Sequence, residues 1–252
     1  MPQGVAVGRC ASQVGEMLTQ KRSPWLDRIG SLLTALLVSG LLLGWLRAIS
    51  ALNGFYLFAL GGIGAALVSL VFLFRRLRGQ ALGTAGVLTC GAGLIFVLAV
   101  GTSSGDGPPI NDFTTDLDNP PAFAHARTLP ANLGRDMGYP ADFAPQQREC
   151  CASLAPQTFN AAPLETLNAI ATAAEAEPQW TVTAVNPETG TLEAVATSYI
   201  FGFQDDVVIR VAPQGTGSRV DIRSKSRDGK SDLGANAARI QGFQNQLSSQ
   251  IR

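Results

Sequence analysis

Three long apolar stretches without a charged residue dominate the first hundred residues of this 252-residue chain. They cover residues 29–46, 55–74 and 81–101. Each has about the 20 residues that an α-helix needs to cross the hydrocarbon core of a bilayer. Helices of a soluble bundle would need a polar face, which these stretches lack. The sequence therefore predicts three transmembrane helices in the lipid bilayer within residues 29–104, preceded by a tail of residues 1–28.

Basic residues flank these stretches unevenly and predict the orientation of the protein. Three lie within ten residues before the first stretch, three separate the second from the third, and one lies in the first loop: Lys21, Arg22 and Arg28; Arg75, Arg76 and Arg78; Arg47. Cytoplasmic loops are enriched in Lys and Arg. We therefore expect a bacterial inner-membrane protein with a cytoplasmic N-terminus and a periplasmic C-terminal domain. A cleaved signal peptide at the first stretch is a minor alternative, which would leave two spans.

Glycines recur within the apolar stretches at spacings that group them on helix faces. Small residues let transmembrane helices approach closely. We expect these glycines to pack the three helices against one another, and a docking face for another membrane protein is the alternative. They are Gly40, Gly44, Gly62, Gly64, Gly86 and Gly93. The stretches contain no ionisable residue, which argues against a proton or ion pathway.

The remainder of the chain has the patterns of an α+β domain. A helical pattern over residues 160–176 precedes four segments that alternate apolar and polar residues, and an amphipathic helix follows Asp232. We predict a two-layer domain over residues 162–252, with an antiparallel four-stranded sheet joined by successive hairpins and helices packed on it. Residues 105–161 are rich in Pro and Asp. We predict that this segment lies extended along the domain and outside its core.

Paired charges concentrate between residues 201 and 240. The functional interpretation is a polar pocket that binds an anion or a ligand headgroup, with Arg223 and Arg227 as donors. The structural interpretation, which we favour, is cross-strand ion pairing completed by Asp232 as a helix cap. It predicts that Arg223, Arg227 and Asp232 share one network. The candidate residues are Asp205, Asp206, Arg210, Arg223, Arg227, Asp232 and Arg239.

Long motifs in this half of the chain resemble the family of domains of unknown function DUF1499. The motifs are FGFQDDVVIRV at 201–211, VDIRSKSRDGKSDLGANAARI at 220–240 and PPINDFTTDLDNPPAF at 108–123. The resemblance implies a bacterial envelope-associated domain without an established activity, often preceded by a membrane-spanning part.

The sequence offers no recognisable catalytic set, so we expect neither enzymatic activity nor a cofactor. His125 is the single histidine, and GxSxG, SxxK and HExxH motifs and zinc-type Cys/His sets are absent. Asp112, Asp116 and Asp118 could hold a hard cation such as calcium. Asx-turns and caps ahead of the following prolines are the use we favour.

Charge and composition narrow the choice of partner. Residues 105–252 hold eleven Lys and Arg against seventeen Asp and Glu, a net charge of −6. Phosphate binding needs a basic surface, so we expect no nucleic acid partner. We expect an accessory or structural subunit that docks to membrane or periplasmic proteins, or alternatively a periplasmic binding module for an apolar or amphiphilic envelope molecule. A cavity between sheet and helices would favour the module, and a filled core the subunit.

The cysteines carry a separate prediction. Adjacent Cα atoms lie about 3.8 Å apart, below the usual disulfide range of about 4.4–6.8 Å. We therefore expect that Cys150 and Cys151 are not joined to each other. Cys10 should be cytoplasmic and Cys90 within the bilayer, so neither is available as a partner.

Overall fold

The chain forms two compact units, divided between Thr102 and Ser103. The structure, a computed structural model, describes residues 23–103 and 107–251. Residues 1–22 of the predicted tail, with Cys10, and residues 105 and 106 of the predicted extended segment lie outside the described residues.

The described residues of the first unit form three helices: α1 (Pro24–Trp45), α2 (Ala51–Leu77) and α3 (Thr84–Ser103). By length and composition, all three are long and apolar enough to cross a membrane. The prediction of three apolar helices at the start of the chain is thereby confirmed.

Glycines set how closely these helices pack. A Cβ atom on Gly40 would lie 2.7 Å from the carbonyl oxygen of Gly54, and one on Gly93 would lie 2.9 Å from the backbone of Ala66. Both contacts are with backbone that cannot rotate away, so the α1–α2 and α2–α3 contacts require glycine there. The other candidate glycines are buried or face a side chain of a neighbouring helix: Gly44 is buried, Gly62 faces Phe96, Gly64 faces Leu33, and Gly86 faces Phe72.

The second unit is built on a six-stranded antiparallel sheet. Its strands are β1 (Asp112–Thr114), β2 (Gln157–Phe159), β3 (Trp180–Asn186), β4 (Thr191–Thr197), β5 (Gln204–Gln214) and β6 (Gly217–Ser226). The order is β1-β6-β5-β4-β3, and β2 also pairs with β6. The predicted hairpin meander corresponds to β3–β6. The predicted strand number of four is wrong, because β1 and β2 share the outer edge of β6 and satisfy its backbone groups.

Helices cover one face of this sheet. α4 (Phe143–Cys150) lies beside β1 at the edge of the sheet, and α5 (Pro163–Ala176) and α6 (Ala235–Gln250) pack on the covered face and supply the core contacts. The apolar side chains of the sheet meet them in one continuous core, from Ile110 and Phe113 through Val207 and Ile222 to Ile240. Residues 115–142 cover the opposite face and include two 3₁₀ turns, Ala126–Thr128 and Pro130–Asn132.

The segment before α5 contributes to the interior of the unit. Ile110 and Phe113 enter the core beneath the helices, and Phe123 and Met137 pack on Val208 at the opposite face. The prediction of an extended segment outside the core is therefore wrong. These apolar residues enter singly, without a helical or strand period, so the sequence pattern does not reveal their burial.

Candidate functional site

The face of the sheet opposite the helices is charged and largely buried. Along β6, Val220 and Ile222 point to the helices, and the alternate residues on the other face are Arg219, Asp221, Arg223 and Lys225. Three cations and one acid on one strand face require acidic partners from elsewhere, because an unpaired buried charge is costly. Neighbouring strands and the covering segment supply those acids in three groups.

Arg223 is the most deeply buried of these cations, with 2% of its surface exposed. Its Nε and Nη2 donate to the two carboxylate oxygens of Asp112 at 2.9 and 2.7 Å. Its Nη1 and Nη2 also donate to the carbonyl oxygens of Pro121 and Met137, each at 3.1 Å. Lys225 donates to the same aspartate at 2.9 Å. This first group therefore ties β1 and the covering segment to β6.

Aromatic rings enclose the Arg223 guanidinium. Its central carbon lies 4.8 Å from the ring centroid of Phe123 and 5.5 Å from that of Tyr139. Such cation–π contacts stabilise a desolvated guanidinium. Burial raises the pKa of the Tyr139 hydroxyl, and the negative charge of Asp112 raises that pKa further. Tyr139 is therefore a neutral hydrogen-bond donor at physiological pH.

The side chain of Gln147 in α4 bonds to the backbone of β1 as a neighbouring strand would. Its Oε1 accepts from the amide of Thr114 at 3.1 Å, and its Nε2 donates to the carbonyl of the same residue at 2.5 Å. The Tyr139 hydroxyl donates to Oε1 at 3.1 Å. Gln147 is fully buried and satisfies backbone groups that β1 would otherwise leave unpaired.

A second group pairs two arginines with two aspartates. Arg210 donates to Asp221 at 2.8 Å and to Asp116 at 3.1 Å. Arg219 donates to the same aspartates at 3.0 and 2.7 Å. The four side chains alternate in charge and link β5, β6 and the covering segment. Such a network holds its members in place more firmly than a single exposed pair.

The third group lies where β5 begins and β6 ends. Arg227 donates to Asp206 at 2.6 Å, and Asn132 of the second 3₁₀ turn donates to the same carboxylate at 2.9 Å. On the helix side, Arg239 of α6 pairs with Asp205 at 2.6 Å. The two adjacent aspartates therefore bind cations on opposite faces of the sheet.

Asp232 caps α6 and stands apart from the ion pairs. Its carboxylate accepts from the backbone amides of Gly234 at 2.9 Å and Asn236 at 2.7 Å. Burial raises its pKa, and these two hydrogen bonds act in the opposite direction. Within the described residues it forms no ion pair. A single network of Arg223, Arg227 and Asp232 is therefore wrong, because Arg223 pairs with Asp112 and Arg227 with Asp206.

Glu193 of β4 is a further buried acid, and sequence reasoning missed it. Its carboxylate accepts from three consecutive backbone amides, those of Ala124, His125 and Ala126, at 2.7–2.8 Å. These amides begin the first 3₁₀ turn and would otherwise be unpaired. The sequence signal that could have identified it is its alternation with the apolar residues of β4, which places it on the face of the sheet opposite the helices.

The three aspartates considered for a cation have other partners. Asp112 and Asp116 pair with arginines as described, and Asp118 pairs with Arg148 at 3.0 Å. The Oδ1 of Asp116 also accepts from the amides of Asp118 and Asn119, which is the Asx-turn that the sequence favoured. In the described parts of the chain, no group of three His, Cys, Asp or Glu could hold a metal ion.

A cavity of about 390 Å³ opens beside the first group. Arg223 and Tyr139 form part of its wall, and Leu117 and Met137 contribute apolar surface. Arg127, which is exposed, also lines it and makes no hydrogen bond or ion pair with the described residues. The arrangement of an apolar wall and an available cation suits a small anionic amphiphile.

Comparison with known families covers this whole arrangement. A family described as "Protein of unknown function (DUF1499)" matches residues 112–247, more than half of the chain. The chain belongs to the DUF1499 family. The matched region of this DUF1499 protein begins at the Arg223 partner Asp112, includes all six strands and excludes the three apolar helices. A comparison with curated proteins gave no match.

The cysteines of the DUF1499 domain differ from the prediction. Cys150 and Cys151 are joined by a disulfide, and Cys90 is a free thiol. Cys150 is the last residue of α4, and Cys151 leaves the helix with φ −137° and ψ 41°. That change of backbone direction brings two adjacent sulfur atoms together. The prediction that these cysteines are not joined is therefore wrong, because the bond forms at a Cα–Cα distance of 3.8 Å, outside the usual range on which the prediction relied.

Proposed function

We propose that this DUF1499 protein is a membrane-anchored accessory subunit of the bacterial envelope, whose soluble domain docks to another envelope or membrane protein. The observation that carries this proposal is the continuous apolar core between the sheet and helices α5 and α6, with an open cavity of about 480 Å³ at its edge beside Trp180 and Phe243. A domain that encloses an apolar ligand needs an internal cavity of several hundred Å³. The side chains between the sheet and these helices pack as one continuous cluster instead.

The charged face of the sheet supports the same proposal. Arg223 and Arg227, which the sequence offered as anion donors, are engaged by Asp112 and Asp206, and Arg210 and Arg239 also pair with aspartates. Arg210 pairs with Asp116 of the covering segment, and Arg223 donates to the carbonyl oxygens of Pro121 and Met137. These contacts hold the segment on the sheet, so the domain presents a preorganised outer surface. Rigid surfaces of this kind reduce the entropy cost of protein association.

Two independent features support a periplasmic position of the soluble domain. Lys and Arg concentrate before α1 and between α2 and α3, which favours a cytoplasmic side for both. The disulfide between Cys150 and Cys151 belongs to an oxidising compartment, and the bacterial periplasm is one. Three crossings then put the C-terminal end of α3 and the domain after it on the periplasmic side.

Reporter fusions test this orientation. We expect alkaline phosphatase, which is active only in the periplasm, to be active when fused after Arg252 and silent when fused at Gly79. A cytoplasmic reporter should give the reverse pattern at the same two positions. Phosphatase activity at Gly79 together with silence after Arg252 would contradict the proposed orientation.

Purification in mild detergent tests the docking role. We expect the full chain to co-purify with a defined protein partner at constant stoichiometry, and a chain that ends at Ser103 to lose that partner. The shortened chain keeps the three apolar helices, so it controls for contacts made in the membrane. A partner retained equally by both chains would contradict docking by the soluble domain.

The cavity beside Arg223 supports a second candidate, a periplasmic binding module for an amphiphilic envelope molecule. Arg127 would bind the acidic group and Leu117 and Met137 the apolar part. Native mass spectrometry of the purified protein should then detect a small molecule that Arg127→Ala removes. Lys230→Ala is a matched control, because it removes an exposed cation that does not line the cavity. Equal occupancy in both variants would eliminate this candidate.

A further inference from the structure

Two loops lie at the end of the sheet that holds Asp205 and Ser226. Register pairs Trp180 with Ala196, Asp205 with Ala196 and Ser226 with Asp205 at this end. The loop from β4 to β5 and the loop from β6 to α6 both leave the sheet here. A backbone hydrogen bond from Arg227 to Gln204 of 3.0 Å joins their bases. The two loops are therefore neighbours.

Large apolar side chains are exposed on these two loops. Tyr199 is 63% and Ile200 49% exposed on the first loop, and Leu233 is 58% exposed on the second. Of the other exposed large apolar residues in the described part of the soluble unit, Leu164 lies on α5, Val185 on β3, and Leu133 directly after the second 3₁₀ turn. Single exposed apolar residues are ordinary, whereas a group at one end of a domain marks an interaction surface.

The backbone of the first loop holds its apolar residues outward. The amide of Ser198 donates to the carbonyl of Phe203 at 2.9 Å, and the amide of Gly202 donates to the carbonyl of Ser198 at 3.2 Å. Gly202 has φ +76°, which glycine adopts without steric cost. These bonds close the loop below Tyr199 and Ile200. The two side chains therefore form the tip of a closed loop.

The chain enters the soluble unit at this same end. The amide of Ser226 donates to the carbonyl of Asn111 at 2.8 Å, and the Asn111 side chain donates to the carbonyl of Gly229 at 2.6 Å. Residues 104–106 separate Gly107 from the last residue of α3. Four peptide units reach about 14 Å at full extension. The linker between α3 and the described start of the soluble unit is therefore short, and the chain that follows it enters the unit at the end with the two loops.

We infer that Tyr199, Ile200 and Leu233 form a membrane-contact surface that enters the headgroup region of the bilayer. Neighbouring strands lie about 4.8 Å apart, so β1, β6, β5 and β4 span about 14 Å. Tyr199 and Ile200 therefore lie within about 14 Å of the strand β1 through which the chain enters the soluble unit. A tyrosine with its amphipathic ring suits the membrane–water interface. The inference does not depend on which side of the membrane the domain occupies.

Photocross-linking of the full chain tests this inference. The photoreactive amino acid p-benzoylphenylalanine would replace Ile200 in one variant and Leu233 in a second, with the protein in nanodiscs of phosphatidylethanolamine and phosphatidylglycerol. Leu164, which is 56% exposed, is the matched control, because it begins α5 at the far end from Glu177 and Trp180. After irradiation, mass spectrometry would identify the adducts.

We expect phospholipid adducts at positions 200 and 233, and none above the unirradiated background at position 164. Adducts to protein alone at both test positions, from this chain or from another, would overturn the inference. So would equal lipid yields at all three positions. Hydrogen exchange of the β5 and β6 amides confirms that each variant is folded. A negative cross-linking result would not contradict the proposed function, because reporter fusions and co-purification test its orientation and its docking role separately.

Discussion

At the scale of single residues, Arg223 shows how a buried cation is used. All of its polar contacts go to Asp112 and to two carbonyl groups, so it anchors the fold. The alternation of β6 predicted its strand face and its structural use. The sequence did not predict its partner, because Asp112 is 111 residues away and strand periodicity carries no information on such distant pairs.

Removal of one partner should leave the other charge buried without compensation. We expect Arg223→Met to lower the free energy of unfolding of the soluble unit by about 3–5 kcal/mol. The double variant with Asp112→Leu should lose less than the sum of the two single variants. Hydrogen exchange of β5 and β6 amides in urea would measure this in the full chain. Arg127→Met is the control and should stay within about 0.5 kcal/mol of the parent.

Asp232 gives a pH-dependent prediction. Because burial raises its folded pKa above the unfolded value, its contribution favours folding most at low pH and is lost as pH rises through the folded pKa. Asp232→Asn cannot titrate. The stability of the parent minus that of the variant should therefore be larger near pH 4 than at pH 7. Urea unfolding at both pH values measures it, and a difference that grows with pH would contradict the assigned shift.

At the scale of secondary-structure elements, the long and strongly periodic ones were predictable. The three apolar helices, the meander β3–β6 and the helices α5 and α6 follow from hydropathy and from periods of two or of three and four. The strands β1 and β2 have three residues each, too few for alternation to appear. Their existence depends on the free edge of β6, which is a property of the assembled sheet.

Helix packing in the first unit yields a prediction with a matched control. A Cβ atom on Gly61 would lie 2.8 Å from the carbonyl oxygen of Leu33, whereas one on Gly91 meets nothing within 4 Å. We expect Gly61→Ala to lower the stability of the helical unit by about 1–3 kcal/mol through overpacking. Gly91→Ala should be neutral. Thermal unfolding in detergent would compare them, and equal melting temperatures would show that α1 and α2 pack less closely.

At the scale of the whole molecule, the redox states of the four cysteines test the compartment proposed for each part of the chain. Cys150 and Cys151 are disulfide-bonded, and Cys90 is free. With Cys10 in the cytoplasm, as predicted, alkylation of the denatured and unreduced protein should label two thiols. Prior reduction should raise the number to four. Four labelled thiols without reduction would contradict the disulfide and remove one support for a periplasmic domain.

The position of β6 at the junction of β1, β2 and β5 has a consequence for biogenesis. Segments that lie far apart in the sequence can pair only after residues 217–226 have been synthesised. A domain with such high contact order folds slowly and late, since long loops must close before their contacts form. A chain that is threaded through a translocon benefits from that delay. With the periplasmic orientation proposed above, Asp112 and its neighbours would lack their β6 partners until residues 217–226 follow them across the membrane.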